Sequence, residues 1–147
     1  MIPTSYHLVA GKGAFVEVTR RTDYAIRLLL ELARVGGGPV SVRELADSQG
    51  VPYAFARGIQ RELLSAGLVE SRRGATGGIL LAKPAAEVTL LDIANAMQGD
   101  TSCSVCSRDP KWCSRMSECE VHQVWRETDS MVREYLGTKS LAGLLKK

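Results

Sequence analysis

The chain has 147 residues, of which 45% are hydrophobic, so it is long enough to form one domain with a buried core. No apolar run approaches the length of a membrane span, and residues 1–16 lack the basic start and apolar centre of a signal peptide. We therefore expect a cytoplasmic protein that makes no contact with a membrane.

The net charge of +3 is small, but it is unevenly distributed along the chain. Ten basic and seven acidic residues lie between Glu17 and Pro84, whereas eight basic and nine acidic residues follow from Ala85 onward. A basic first half is typical of a nucleic-acid-binding module, although ordinary surface charge produces the same count.

The first predicted elements are two helices joined by a short turn. Residues 1–16 show no periodicity, and we predict a flexible extension there. Apolar residues at helical spacing predict a helix over residues 19–35, which three glycines and a proline end. Ser41 with Glu44 three positions later forms a capping box that begins a second helix, and Gly50 ends it.

A third helix and a hairpin follow directly. Pro52 begins the helix and Gly67 ends it. Its predicted buried face consists of Phe55, Ile59, Leu63 and Ala66. Two short apolar runs then flank a turn rich in glycine and arginine, which predicts a β-hairpin. Two helices joined by a turn and followed by a hairpin are typical of a winged helix-turn-helix domain.

The second half is predicted to contain another helix, a cysteine-rich loop and a long amphipathic helix. Thr89 begins the fourth helix and Gly99 ends it. The long helix carries apolar side chains over more than four turns, and a short tail helix follows Ser140. A small winged-helix domain cannot cover such a stripe alone, so we favour a homodimer over packing within one protomer.

These elements predict a mainly α fold with a small β-hairpin wing. We divide the chain into the flexible N-terminal extension, a winged helix-turn-helix DNA-binding domain over residues 17–99, a cysteine-rich loop over residues 100–119, and a dimerisation helix with its C-terminal tail over residues 120–147.

The third helix is the candidate for reading double-stranded DNA, because the second helix of a helix-turn-helix enters the major groove. The side chains opposite its buried face are those of Tyr53, Ala54, Arg57 and Arg61. Arg57 is the first candidate for base recognition, because arginine pairs with guanine through two hydrogen bonds. Arg72, Arg73 and Thr76 of the wing suit phosphate or minor-groove contacts. The alternative is that these side chains are solvated surface residues that do not contact DNA. A dimer would bind a near-palindromic operator.

All four cysteines fall in one polar, turn-rich segment, at positions Cys103, Cys106, Cys113 and Cys119. Clustered cysteines in a reducing compartment more often bind metal or sense redox state than form structural disulfides. Thiolates are soft ligands that suit iron–sulfur clusters and zinc, and a bound metal centre would order a loop without apolar residues. Spacing alone leaves an iron–sulfur cluster, zinc and a thiol–disulfide switch open.

Three motifs together resemble the Rrf2 family of winged-helix transcription regulators, from Val18 onward. They are the Thr-Asp-Tyr-Ala-Ile-Arg sequence from Thr22, the wing from Gly67 to Gly78, and the spacing of Cys113, Cys119, His122 and Trp125. The resemblance implies a DNA-binding regulator, which we expect to be a repressor, that senses nitric oxide, redox state or iron status through an iron–sulfur cluster of the 2Fe-2S or 4Fe-4S type.

The resemblance also implies three cysteine ligands, by position Cys106, Cys113 and Cys119, and one ligand of another type. In nitric-oxide-sensing members the fourth ligand is the aspartate of the first helix, here Asp23 of the partner subunit. In members that regulate cluster assembly it is the histidine after the last cysteine, here His122. The first-helix motif slightly favours Asp23.

Two departures from the family pattern concern the loop. The gap between Cys106 and Cys113 is one residue longer than the pattern, and Cys103 is an extra thiol, a less favoured candidate for the fourth ligand. We find no nucleophile–base pair, and the chain has only two histidines, so we expect neither enzymatic activity nor a small-molecule substrate.

Overall fold

A computed structural model describes residues 17–100, 102–109 and 111–146, so the predicted extension over residues 1–16 lies outside the described residues. The elements in chain order are α1 (Arg20–Val35), α2 (Val42–Gln49), α3 (Tyr53–Ser65), β1 (Val69–Arg72), β2 (Gly78–Leu81), α4 (Leu90–Gln98), α5 (Val105–Arg108), a 3₁₀ turn (Met116–Glu118), α6 (Glu120–Gly137) and α7 (Leu141–Leu145). Among the helices described, none is both long and apolar enough to cross a bilayer.

Local side-chain chemistry sets several helix boundaries. The Ser41 side chain accepts a hydrogen bond from the Glu44 amide, and the Glu44 carboxylate accepts one from the Ser41 amide. This confirms the predicted capping box, and Gly50 ends α2 with a φ of 62°. Thr89 begins α4 as predicted, and a second capping box with Asp92 holds it there.

The core lies where α1, α2, α3 and α4 meet behind the hairpin. Its largest fully buried apolar side chains are Leu29, Leu45, Ile59, Leu63, Ile93, Leu141 and Val88. The predicted buried face of α3 was wrong at both ends, because Phe55 is 51% exposed and Ala66 is also exposed. Phe55 lies in the first turn of α3 and Ala66 after the last, so neighbouring helices cover only the middle of this face. The Phe55 ring instead packs edge-on against Tyr24, with 6.3 Å between centroids.

The wing is an antiparallel hairpin in which Val69 pairs with Leu81 and Arg72 pairs with Gly78. The β2 strand also pairs with the segment between α1 and α2, through hydrogen bonds of 2.8 and 2.9 Å between the backbones of Val40 and Ile79. A Cβ atom at Gly78 would lie 2.3 Å from the Val40 carbonyl oxygen. The hairpin therefore docks onto the helix-turn-helix through direct backbone contact at this glycine.

The α6 helix has 18 residues but buries only one of them, Asp129. It packs against α4 and α5, and the chain then returns to the winged-helix domain through α7. Leu141 is fully buried there, and its amide donates to the Val88 carbonyl at 2.9 Å. The α6 helix is thus joined to its own domain at both ends and leaves most of its surface uncovered.

Candidate nucleic-acid interface and metal centre

The four candidate DNA-contacting residues of α3 lie on one exposed face. Tyr53, Ala54, Arg57 and Arg61 are all exposed, whereas Ile59 on the other side of the helix is fully buried. The Nη1 atom of Arg57 donates a hydrogen bond to Oε1 of Gln60 at 2.6 Å. The helix therefore presents one aromatic and two basic side chains together, as the sequence predicted from helical periodicity.

A residue of α2 joins this face. The Cζ atom of Arg43 lies 4.1 Å from the centroid of the Tyr53 ring, a distance typical of a cation–π contact. Both side chains are exposed. The sequence analysis missed Arg43, although its place in the first turn of α2, beside the start of α3 in a helix-turn-helix, was a usable signal.

The orientation of α3 relative to α1 depends on a paired arginine and glutamate. Both Nε and Nη2 of Arg21 donate to the Glu62 carboxylate, and the Nε to Oε2 distance is 3.2 Å. The Arg21 guanidinium lies against Gly58, and a Cβ atom added to Gly58 would be 3.0 Å from Nη2 of Arg21. Such a forked pair between two helices fixes both distance and rotation. Arg21 and Glu62 are 41 residues apart in the sequence, so periodicity could not find the contact.

The wing residues are also exposed. Arg72 ends β1, while Arg73 and Thr76 lie in the turn. Two glycines of the wing, Gly77 and Gly78, are required by the fold, because each lies very close to the backbone of another part of the protein. A Cβ atom at Gly77 would lie 2.3 Å from the Arg72 carbonyl oxygen, which no side chain can tolerate.

The four cysteines lie in the segment that precedes α6, and none of them forms a disulfide. Cys103, Cys106 and Cys113 are half-buried, while Cys119 is exposed and occupies the N-cap position of α6 without a side-chain hydrogen bond. Within the described residues, no three side chains of His, Cys, Asp or Glu come close enough together to hold a metal ion. The structure therefore places the predicted ligands in one segment without assembling them.

His122 follows in the first turn of α6, and its Nδ1 atom is buried and has no hydrogen-bond partner among the residues that the structure describes. A buried imidazole nitrogen normally has a hydrogen-bond partner, so the unpaired Nδ1 atom indicates that a partner for His122 is missing from the loop. Three thiols and an imidazole nitrogen are a suitable donor set for an iron–sulfur cluster. The residues of the loop thus fit the implied cofactor in their chemistry.

Cys103 is hydrogen-bonded to the one buried side chain of α6. Its amide donates a hydrogen bond to Oδ1 of Asp129. Burial, together with a hydrogen bond to Asp129 and its negative charge, raises the pKa of the Cys103 thiol to about 11. Burial acts to raise the pKa of Asp129 as well. Its net pKa is nevertheless lowered, because the carboxylate is stabilised by the Cys103 amide, by the nearby Cys103 and Ser107 side chains and by the charge of Arg133. No local pattern signals this contact, which spans 26 residues of sequence.

The other candidate ligand, Asp23, lies in the first turn of α1. Its Oδ2 atom is 2.9 Å from Nη2 of Arg27 one turn later, and both side chains are about half exposed. The start of α1 is fixed by Gln98 of α4, whose Oε1 accepts a hydrogen bond of 2.6 Å from the buried Thr22 hydroxyl. Gln98 also donates to the Glu17 carbonyl at 2.8 Å. The sequence analysis missed Gln98 because nothing in its local pattern marks a partner so distant in the chain.

Comparison with known proteins identifies the family. The sequence model of the Rrf2 family, described as an iron-dependent transcriptional regulator, matches residues 18–147. The chain belongs to the Rrf2 family. The Rrf2 member "Protein rrf2" of Nitratidesulfovibrio vulgaris is 30% identical over 132 residues, which cover 89% of this chain and 88% of that protein.

Solved structures of similar proteins agree with this Rrf2 assignment. The structure of T. potens IscR has a TM-score of 0.69 and 28% identity, covering 88% of this chain and 86% of that one. CymR, the global cysteine regulator of B. subtilis, has a TM-score of 0.72 and 24% identity, covering 88% and 96%, which supports the fold. The comparisons confirm the mainly helical fold with a hairpin wing. They also confirm that this Rrf2 protein is a transcriptional regulator and not an enzyme.

Proposed function

We propose that this Rrf2 regulator represses transcription by binding a near-palindromic operator as a homodimer, and that an iron–sulfur cluster in its cysteine loop controls its affinity for DNA. The observation that carries the proposal is the exposed face of α3, where Tyr53, Arg57 and Arg61 lie side by side, opposite the buried Ile59 and Leu63. Basic and aromatic side chains held on a rigid helix are suited to a major groove.

The contacts are divided between bases and phosphates. Arg57 reads a base edge, while Tyr53, Ala54 and Arg61 contact neighbouring bases or phosphates. Arg72, Arg73 and Thr76 at the exposed wing contact phosphates or the minor groove. Arg57→Ala should relax sequence preference. Arg73→Ala should weaken binding to all sequences alike, and should make the slope of log affinity against log salt shallower by about 0.9 for each phosphate that is no longer neutralised.

A row of uncovered side chains on α6 supports the homodimer. Val121, Val124, Met131 and Tyr135 are 51 to 69% exposed, and Thr128 is half-buried between them. Their spacing alternates between three and four residues, which is the pattern of a coiled-coil seam. We call these five residues the α6 seam. Pairing with the seam of a second copy would bury them and would place two α3 helices on one operator.

For the cluster we propose Cys106, Cys113 and Cys119 as ligands, with His122 as the fourth. The buried, orphaned Nδ1 atom favours His122 over Asp23 of the partner subunit, because Asp23 pairs with Arg27. Cys103 is less suitable, because its amide is bonded to Asp129 and its thiol is held protonated. When bound, a cluster of the 2Fe-2S or 4Fe-4S type supplies a centre that reacts with nitric oxide or oxidants and responds to iron supply.

Anaerobic purification of the full chain tests the cluster. We expect a brown protein that contains iron and sulfide, and we expect His122→Ala to change its absorption spectrum more than Asp23→Ala or Cys103→Ser. Colourless protein that contains zinc, or a disulfide that forms reversibly, would support a zinc-stabilised or thiol-switching regulator of the same fold instead. Gel-shift assays on the protein's own promoter, with loaded and cluster-free protein, test whether the cluster controls DNA binding.

A further inference from the structure

A polar cleft of about 500 Å³ lies where the end of α4, the cysteine loop and α6 meet. Its volume falls within the range of small-molecule sites in proteins. The residues that define it are Asn95 of α4, Asp100 and Ser107 of the loop, and Arg126, Asp129 and Arg133 of α6. None of them belongs to the exposed face of α3 or to the proposed cluster ligands.

The cleft contains a buried carboxylate with unused acceptor capacity. Asp129 is only 8% exposed, and its Oδ1 atom accepts the hydrogen bond from the Cys103 amide. Its Oδ2 atom is buried and has no hydrogen-bond partner within the described residues. The nearby Ser107 hydroxyl pairs with the Ser104 hydroxyl at 2.8 Å. A buried charged oxygen is costly without a donor, so Oδ2 is an acceptor for a ligand that brings one.

The charges of the cleft indicate what kind of ligand this is. Asp100 pairs with Arg133 at 2.7 Å, and the charge of Arg133 also acts on Asp129 without forming an ion pair with it. Asp129 and Arg126 remain, one acidic and buried and the other basic and exposed. Arg126 forms no ion pair within the described part of the chain. A net-neutral ligand with one positive and one negative group would match both.

We propose that this cleft binds a small zwitterion of the α-amino acid class, with its primary ammonium on Oδ2 of Asp129 and its carboxylate on Arg126. An ammonium group supplies N–H donors and a positive charge to the orphaned oxygen, and a guanidinium pairs with a carboxylate through two parallel hydrogen bonds. Both anchoring side chains belong to α6, so the ligand would lie along that helix beside the cysteine loop, and its binding would stabilise the folded protein.

The cleft stays open when the proposed dimer forms. Arg126, Asp129 and Arg133 are three and four residues apart and therefore share one face of α6. At 100° per residue, the α6 seam lies on the opposite side of the helix. The zwitterion site thus depends neither on operator binding nor on the identity of the fourth cluster ligand.

The test uses the full chain, purified anaerobically, without DNA. Each proteinogenic L-amino acid is screened at millimolar concentration for an increase in the melting temperature, and those that raise it are measured by calorimetry. Betaine, which carries both charges but no N–H donor, is the matched control ligand, and methylammonium and acetate each supply one half of the zwitterion. Arg126→Gln changes an exposed residue of the cleft, while Arg115→Gln is the matched control at an exposed arginine outside it.

We expect at least one amino acid to bind with one molecule per protomer, and the three control ligands to bind at least about tenfold more weakly, as expected when a charged hydrogen bond is missing. Arg126→Gln and Asp129→Asn should each weaken binding about tenfold or more, and Arg115→Gln should leave it unchanged. The proposal is overturned if no amino acid binds, if betaine binds equally well, or if Arg126→Gln retains full affinity. None of these results depends on whether the protein binds an operator.

Discussion

The guanidinium carbon of Arg43 lies 4.1 Å from the centroid of the Tyr53 ring, and this contact joins the first turn of α2 to the first turn of α3. The two side chains are exposed, so the contact contributes little to folding. In the proposed complex with DNA its consequence is larger, because it would orient a ring at the end of α3 that enters the groove first and would hold a positive charge beside it.

Arg43 and Tyr53 should therefore act together in operator binding. We expect Arg43→Met and Tyr53→Leu each to weaken binding. The double variant should lose less binding free energy than the two single variants together, with a coupling of about 0.5 to 1 kcal/mol. Fluorescence anisotropy with a duplex from the protein's own promoter measures the four affinities. Arg34→Met, at the far end of α1, is the control. Strictly additive effects would show that the contact has no role in recognition.

Substitution of Gly78 should disturb the contact between the wing and the helix-turn-helix and so destabilise the fold. A methyl group at this position would collide with the Val40 backbone, so we expect Gly78→Ala to lower the free energy of unfolding by about 1 to 3 kcal/mol, as in other overpacked sites. Urea denaturation followed by circular dichroism measures the change. Gly38→Ala is the control, because a Cβ atom there meets nothing within 4 Å. Equal stability of the two variants would refute the close contact.

Removing the Gln98 side-chain amide should loosen the start of α1. Gln98→Leu leaves the buried Thr22 hydroxyl without one of its partners, and we expect the free energy of unfolding to fall by about 1 to 2 kcal/mol. Gln123→Leu serves for comparison, since in the described part of the chain the Gln123 side chain bonds to Glu127 alone, on the exposed surface of its own helix. The free energy of unfolding of the Gln123→Leu variant should stay within about 0.5 kcal/mol of the wild-type value. A similar decrease in both variants would mean that the contact between α1 and α4 is not stabilising.

A charge in the α6 seam should dissociate the dimer. Met131 is 69% exposed in one protomer, so Met131→Asp leaves the protomer fold intact while placing a carboxylate in the proposed interface. Light scattering after size-exclusion chromatography should give a dimer for the wild type and a monomer for the variant. Gln123→Asp, on an exposed position outside the seam, should remain dimeric. A dimeric Met131→Asp protein would exclude the seam as the interface.

Cys103 should be the slowest of the four thiols to react with iodoacetamide. With a pKa of about 11, only about one Cys103 in a thousand is a thiolate at pH 8, and the reactive fraction rises about tenfold for each pH unit up to that value. Asp129→Asn removes the negative charge and should speed the reaction. Peptide mass mapping of cluster-free protein measures the rates, with the urea-unfolded chain as control. Fast alkylation of Cys103 in the folded wild type would contradict the raised pKa.

Local patterns were sufficient to predict most of the winged-helix domain. The capping box of Ser41 and Glu44, the stop at Gly50, the hairpin and the length of α6 all depend on residues close together in the sequence. Phe55 shows where periodicity fails, because helical spacing gives a direction and does not tell how far the neighbouring helices extend.

Contacts between distant segments could not be predicted from such patterns. Gln98 and Thr22 are 76 residues apart, and Asp129 and Cys103 are 26 residues apart. The first pair joins two polar side chains, and the second joins a carboxylate to a backbone amide, so only the folded chain identifies them as partners. The cysteine spacing indicated the chemistry of the loop but not its geometry, since a metal centre would itself determine how the loop closes.

The attachment of α6 to its own protomer has a consequence for how the regulator responds to its own abundance. A helix whose one buried residue is a carboxylate gains little from burial within a single chain, and in the proposed dimer most of its apolar area would be buried by the second copy. In that dimer the order of α6 would be linked by mass action to the amount of protein present. Dilution should fray the first turns of α6, while the winged-helix domain and α7, which places Leu141 in the same apolar core, stay folded.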